Sequence, residues 1–270
     1  MWNSTNPALA NDDAFNQFYG KAMFKERSNT ATLQGVATKT AILCLIAIAS
    51  GAAGYALVSQ YTSILMISSI AAFVICLGMG FVIGGKPQLA MFLAPVYAIV
   101  EGVFLGAFTR LAEWMLASRG LDVPGGVALQ AFLITGSVLG AMLALYKMRI
   151  LRPTRMFTAV ISTAALGIML AYLVSLVLSF FGISVPFLGI GATLDTGMAG
   201  WIGLGINLFI LGIASLFLIN DFGMIEQKLS TEQPKYIEWY CGFALLVTLA
   251  WIYYESVKLV LRLSSLFGRD

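Results

Sequence analysis

TLAWIYYESVKLVLRL, residues 248–263, sets one glutamate, one lysine and one arginine inside an otherwise apolar run. Wound as a helix, Thr248, Glu255 and Arg262 are seven residues apart, and Lys258 lies three beyond Glu255. At 3.6 residues per turn all four share one face. An ionisable side chain inside a bilayer costs at least ~2.5–3.5 kcal/mol, and a polar stripe on a membrane helix therefore faces protein or water, not lipid. This helix is accordingly expected at the centre of a bundle, with the other helices around it.

The remaining sequence supplies that bundle. Of 270 residues, 59% are hydrophobic and 11% charged, and the mean hydropathy is +0.88. Soluble domains carry about 25% charged residues. Apolar runs recur at roughly 38–58, 64–85, 89–112, 127–147, 156–181, 199–222 and 240–264, each near the ~20 residues that span a bilayer as a helix. The period-two alternation of barrel strands is missing. The fold expected is an all-α polytopic membrane protein, with seven transmembrane helices and the last helix central. Breakers punctuate it: Gly84-Gly85-Lys86-Pro87, Asp122-Val123-Pro124-Gly125-Gly126, Arg152-Pro153 and Gln233-Pro234-Lys235.

Three segments are expected: a polar N-terminal tail over 1–36, the transmembrane domain over 37–265 and a short tail over 266–270. The first tail lacks the basic start and apolar core of a signal peptide. A short interfacial helix is expected around Phe15 to Phe24, and Asn3-Ser4-Thr5 matches a glycosylation sequon. With the N-terminus in the cytosol, eleven of the sixteen basic residues fall on cytosolic segments, which sets the expected orientation. Seven spans leave a basic C-terminus outside; six spans with one re-entrant segment is the alternative.

Two further acids lie in apolar runs. Asp221 is in SLFLINDFGMIEQ and Glu101 in LAPVYAIVEGVFLGAF. Glu101 is about thirteen residues into its run, near mid-membrane; it is read as a pore or interhelical acid. Asp221 falls where the sixth run ends. For Glu255 two readings stay open: a functional carboxylate, or an acid neutralised by Lys258 or Arg262 of its own helix. Histidine is absent, so any pH response rests on carboxylates. Cys44, Cys76 and Cys241 have no metal-ligand spacing and read as packing residues. The pairs Gly80/Gly84, Gly102/Gly106 and Gly136/Gly140 have the G-x-x-x-G spacing that lets helices approach closely.

Enzyme signatures are missing: the sequence has no H-E-x-x-H, G-x-S-x-G or P-loop. Asp195-Thr196-Gly197 is a single copy of a triplet whose protease chemistry needs two. No enzymatic activity and no cofactor are expected. The net charge of +3 is spread over loops and gives no reason to expect a nucleic-acid partner.

VEGVFLG in the third run, ALYK closing the fourth, NDF at Asn220 to Phe222 and EWY…LLVTLAWIYYE in the seventh resemble the Bax inhibitor-1 family, the transmembrane Bax inhibitor motif proteins, and within it the bacterial Bax inhibitor-1-like branch. The resemblance covers the chain from about residue 30. It implies a seven-helix fold around the last helix and a pH-sensitive calcium leak in a bacterial inner membrane. It implies that Asp221 and Glu255 form a carboxylate pair that senses pH; two acids held so close are expected to share a proton, and with Glu101 and carbonyls to offer calcium a weak set of oxygen ligands. It also implies a basic latch for Asp221, for which Lys86 is the one local candidate. Two features depart from the pattern: Glu255 stands where calcium-leak members carry Asp, and a Lys latch lacks the two-pronged geometry of Arg. Expected partners are the lipid bilayer, calcium and other membrane proteins. The rival readings are a non-conducting regulator that binds a membrane-embedded quality-control protease, and a proton-coupled exporter.

Overall fold

The computed structural model describes residues 30–58, 65–183 and 185–268. The expected Phe15–Phe24 helix and the Asn3 sequon lie outside them. Among the described residues seven α-helices follow in order: α1 Leu33–Val58, α2 Leu65–Gly85, α3 Ala90–Ala117, α4 Gly126–Lys147, α5 Arg155–Phe180, α6 Gly197–Ser230 and α7 Ile237–Phe267. There is no strand among the described residues, where one isolated bridge joins Thr30 to Pro234. Helices are what a membrane chain must form, because hydrocarbon offers no partner to an unpaired backbone N–H or C=O. Helices α1 and α3 to α7 are long and apolar enough to cross a membrane. The chain is thus an all-α polytopic membrane protein.

Helix ends obey local chemistry. Thr154 caps α5, its Oγ1 accepting from Phe157 N at 3.2 Å, directly after Pro153. Thr32 does the same for α1, accepting from Gly35 N at 3.0 Å. Glu238 then binds the cap from α7: its Oε1 accepts from Thr32 N at 3.0 Å and from Thr32 Oγ1 at 3.1 Å. A negative charge at a helix N-terminus opposes the helix dipole favourably. The carboxylate fills the space in which a Cβ on Gly35 would sit, so glycine there is a requirement of the contact.

Several helices outrun the apolar stretches that announce them. The sixth run ends near residue 222, yet α6 continues to Ser230. The segment FGMIEQKLS contains no proline, its one glycine is tolerated within a helix, and Pro234 comes later. Asp221 is therefore nine residues, or about 13 Å, inside its helix. It is not the helix-end acid that the hydropathy suggested.

The last helix is central. It packs against α1, α3, α4 and α6, and 67% of its most apolar window is buried, against 11% for α1, α4 and α5. The odd-numbered helices α1, α3 and α5 run parallel to it: Thr32 meets Glu238, Tyr97 meets Phe243 and Thr109 meets Tyr253, and Tyr172 meets Glu255. Helix α6 runs antiparallel, with Asn207 at Glu255 and Asp221 at Thr248. The outer faces carry Phe81, Phe92, Phe132, Met169 and Phe209 exposed, as a lipid-facing surface requires.

One of the three glycine pairs makes a helix crossing. A Cβ on Gly106 would meet Gly51 O, and one on Gly102 would meet Ala47 O and Ser50 Oγ, so α1 and α3 touch backbone to backbone. Around Gly80, Gly84, Gly136 and Gly140 there is open space. For those two pairs the packing expectation is not met, because their faces point away from the other helices described here.

Candidate functional site

Helices α6 and α7 form the seam that carries the buried polar groups, and these stand at two levels. The first lies toward the end of the bundle holding Lys86, Lys147, Arg149, Arg152, Arg155, Lys228 and Lys235, called here the basic end. Asp221 is there, 3% exposed. Its Oδ2 accepts from Thr248 Oγ1 at 2.6 Å. It makes no ion pair among the described residues. A cleft beside it is lined by Met224, Ile225, Lys228, Tyr240, Cys241 and Ala244. Lys228 stands over the Tyr240 ring at 5.8 Å.

The second level is centred on Glu255, which is fully buried. Lys258 Nζ donates to its Oε2 at 3.1 Å and its Oε1 at 3.3 Å. Tyr172 of α5 donates its hydroxyl to Oε1 at 2.5 Å, and Asn207 Nδ2 of α6 donates to Oε2 at 2.7 Å. The same Lys258 ammonium donates to Tyr172 Oη at 2.6 Å. It lies 4.8 Å from the Tyr172 ring centre and 5.2 Å from that of Tyr254, within range of cation–π attraction. Three helices thus enclose one carboxylate and one ammonium whose formal charges cancel.

Beyond it, Arg262 is 1% exposed. It donates to Ala192 O at 3.1 Å and Phe187 O at 2.7 Å, in the segment joining α5 to α6. Arg119 and Ser265 both donate to Leu194 O, at 2.6 and 3.0 Å. Backbone carbonyls there close the bundle over the polar seam.

The expected carboxylate pair does not come together. Asp221 bonds to Thr248 and Glu255 to groups on α5, α6 and α7, and no hydrogen bond joins the two acids among the described residues. The cause is axial offset. Thr248 and Glu255 are seven residues apart on α7, about 10 Å along its axis. The lysine three residues away, where the helix surface brings side chains together, takes the place the second acid was expected to hold. The latch is corrected as well. Lys86 is exposed at the basic end, on the turn after α2, a helix that leans on α3. No ion pair joins it to Asp221 among the described residues. Glu101 is hydrogen-bonded to Tyr97 of its own helix and to Cys76 of α2. It is an interhelical acid, away from the α6–α7 seam. Among the described residues no three His, Cys, Asp or Glu side chains cluster as a metal site.

Tyr172 and Asn207 carry no formal charge and so do not stand out from their apolar runs as the acids do. The signal was present: each is a hydrogen-bonding side chain in the middle of an apolar run, LAYLVSL and GINLFIL.

A search of curated proteins and of solved structures returned no match. The family model described as Bax inhibitor 1 like matches residues 6–265, nearly the whole chain. The chain belongs to the Bax inhibitor 1 like family.

Proposed function

We propose that this membrane protein is a pH-sensitive cation leak that passes calcium, with Asp221 as its titrating group. The observation that carries the reading is Asp221 itself: a carboxylate 3% exposed, beside a cleft at the basic end, with one hydroxyl donor and no ion pair among the described residues. Buried charges are ordinarily paired. An acid held this way gains a counter-charge by binding either a proton or a metal cation, and the two compete. Calcium prefers several oxygen ligands. The Asp221 carboxylate and Thr248 hydroxyl offer a partial set, and weak binding suits conduction because the ion must leave. The groups around Asp221 are Thr248, Cys241 and Tyr240 of α7 and, two turns further along α6, Lys228. The reading is of a conduit without enzymatic chemistry, seated in a bacterial inner membrane with the basic end toward the cytosol.

Calcium flux into proteoliposomes at several pH values tests it. Flux is expected to rise with pH as Asp221 loses its proton, and Asp221→Asn is expected to flatten that dependence. An unchanged pH profile in folded Asp221→Asn protein removes Asp221 as the sensor. Absence of any flux from the wild-type protein removes the leak, and the reading as a non-conducting regulator takes its place.

A further inference from the structure

We propose that Glu255, Tyr172 and Asn207 form a binding site for a small inorganic cation, and that the ammonium of Lys258 occupies it as a tethered plug. The inference rests on the leak reading for its meaning, but the site stands on its own geometry. What surrounds Lys258 Nζ is a cation's ligand set: two carboxylate oxygens at 3.1 and 3.3 Å and a phenol oxygen at 2.6 Å. Two tyrosine ring faces add to it, at 4.8 and 5.2 Å. The groups come from α5, α6 and α7, so the bundle builds the site and no single helix does. A second observation points the same way. Asn207 is 1% exposed and is held against Glu255 through its Nδ2, while its Oδ1 has no hydrogen-bond partner. Buried amide oxygens ordinarily find a donor; this one has none, and it belongs to the side chain that already holds the carboxylate.

Removal of the lysine charge leaves one carboxylate and neutral oxygens about 10 Å from Asp221 along α7, with the Arg262 guanidinium, held by the Phe187 and Ala192 carbonyls, as the remaining positive charge that acts on Glu255. That is a second cation station on the same seam. In the wild-type protein the plug neutralises it, so an ion entering at Asp221 meets an occupied site. A leak along the seam then requires Lys258 to give way.

The test separates the site from the leak. Terbium(III) is the probe, added to purified protein in detergent, with tyrosine excitation and terbium emission as the readout. Tyr172 and Tyr254 flank the site and act as sensitising donors. The background is Asp221→Asn, which silences the other acid. Lys258→Met is expected to give saturable emission that the Lys258-containing background lacks. Adding Glu255→Gln is expected to abolish it, and Lys258→Arg to stay dark. Lys258→Gln serves where the Met variant does not give a monodisperse peak on gel filtration. Folded Lys258→Met or Lys258→Gln protein without emission overturns the proposal, as does emission that survives Glu255→Gln. In liposomes with Asp221 intact, Lys258→Met is expected to raise calcium flux several-fold. Terbium binding without any flux, in wild type or variant, upholds the site and removes the leak.

Discussion

Glu255 and Lys258 are each other's condition for being buried. Removing one member of a buried ion pair typically costs 3–5 kcal/mol because the other charge is left uncompensated, whereas replacing both with apolar groups is often close to neutral. Glu255→Gln is therefore expected to lower the unfolding temperature in detergent sharply, and Glu255→Gln with Lys258→Met to recover most of the loss. Equal melting of the single and double variants would show that the pair is not coupled. Asp221 lies about 10 Å away along α7 and shares no hydrogen-bond partner with Glu255. Sites so separated usually add within ~0.3–0.5 kcal/mol. The stability losses of Asp221→Asn and Glu255→Gln are expected to sum in the double variant; a coupling well above that range would mean that the acids meet. Lys86 is exposed and unlinked to Asp221, so Lys86→Ala is expected to leave the pH dependence of flux unchanged.

At the scale of elements, the glycine pairs separate two kinds of helix face. Gly106 touches the backbone of Gly51 where α1 crosses α3. Packing in lipid relies on such close approach, since lipid tails are as apolar as the side chains they would displace. Gly106→Val is expected to disrupt the crossing and reduce the yield of monodisperse protein. Gly140 has open space around it, and a helical glycine exchanged for alanine gains about 0.8–1.0 kcal/mol of helix propensity. Gly140→Ala is expected to be tolerated or mildly stabilising. Thermal melts of the two variants side by side check the contrast; equal destabilisation would mean that the Gly140 face is packed after all.

For the whole molecule, basic residues collect at one end of the bundle, and at the other end Arg110 pairs with Glu113 while Arg119 and Arg262 are held by carbonyls. Arg262, which is buried, binds the Phe187 and Ala192 main-chain oxygens, and the exposed Arg119 binds Leu194 O. The exposed basic turns at 148–154 remain to set orientation. Single cysteines placed at 148–154 in a background lacking Cys44, Cys76 and Cys241 are expected to react with an impermeant thiol reagent only from the cytosolic face. Cysteines at 185–196 are expected to react only from the opposite face. The reverse pattern would invert the topology, and with it the side from which Asp221 is reached.

The helical architecture and the central place of α7 were legible in the sequence because both follow from cost. Apolar runs of spanning length must be helices, and a helix carrying Thr248, Glu255, Lys258 and Arg262 on one face cannot show that face to lipid. Length and composition likewise brought out Asp221 as an acid out of place. Which groups meet which was not legible. The partner of Asp221 depends on the axial register of α6 against α7, and a shift of two helical turns separates a Thr248 contact from a Glu255 contact. Tyr172 and Asn207 reach Glu255 from helices whose rotation about their own axes is fixed by packing against the rest of the bundle. Gly102 and Gly136 open the same motif, and the fold alone turned one inward and the other out. Composition and period act along one helix; register and rotation belong to pairs of helices, and only the tertiary structure decided them.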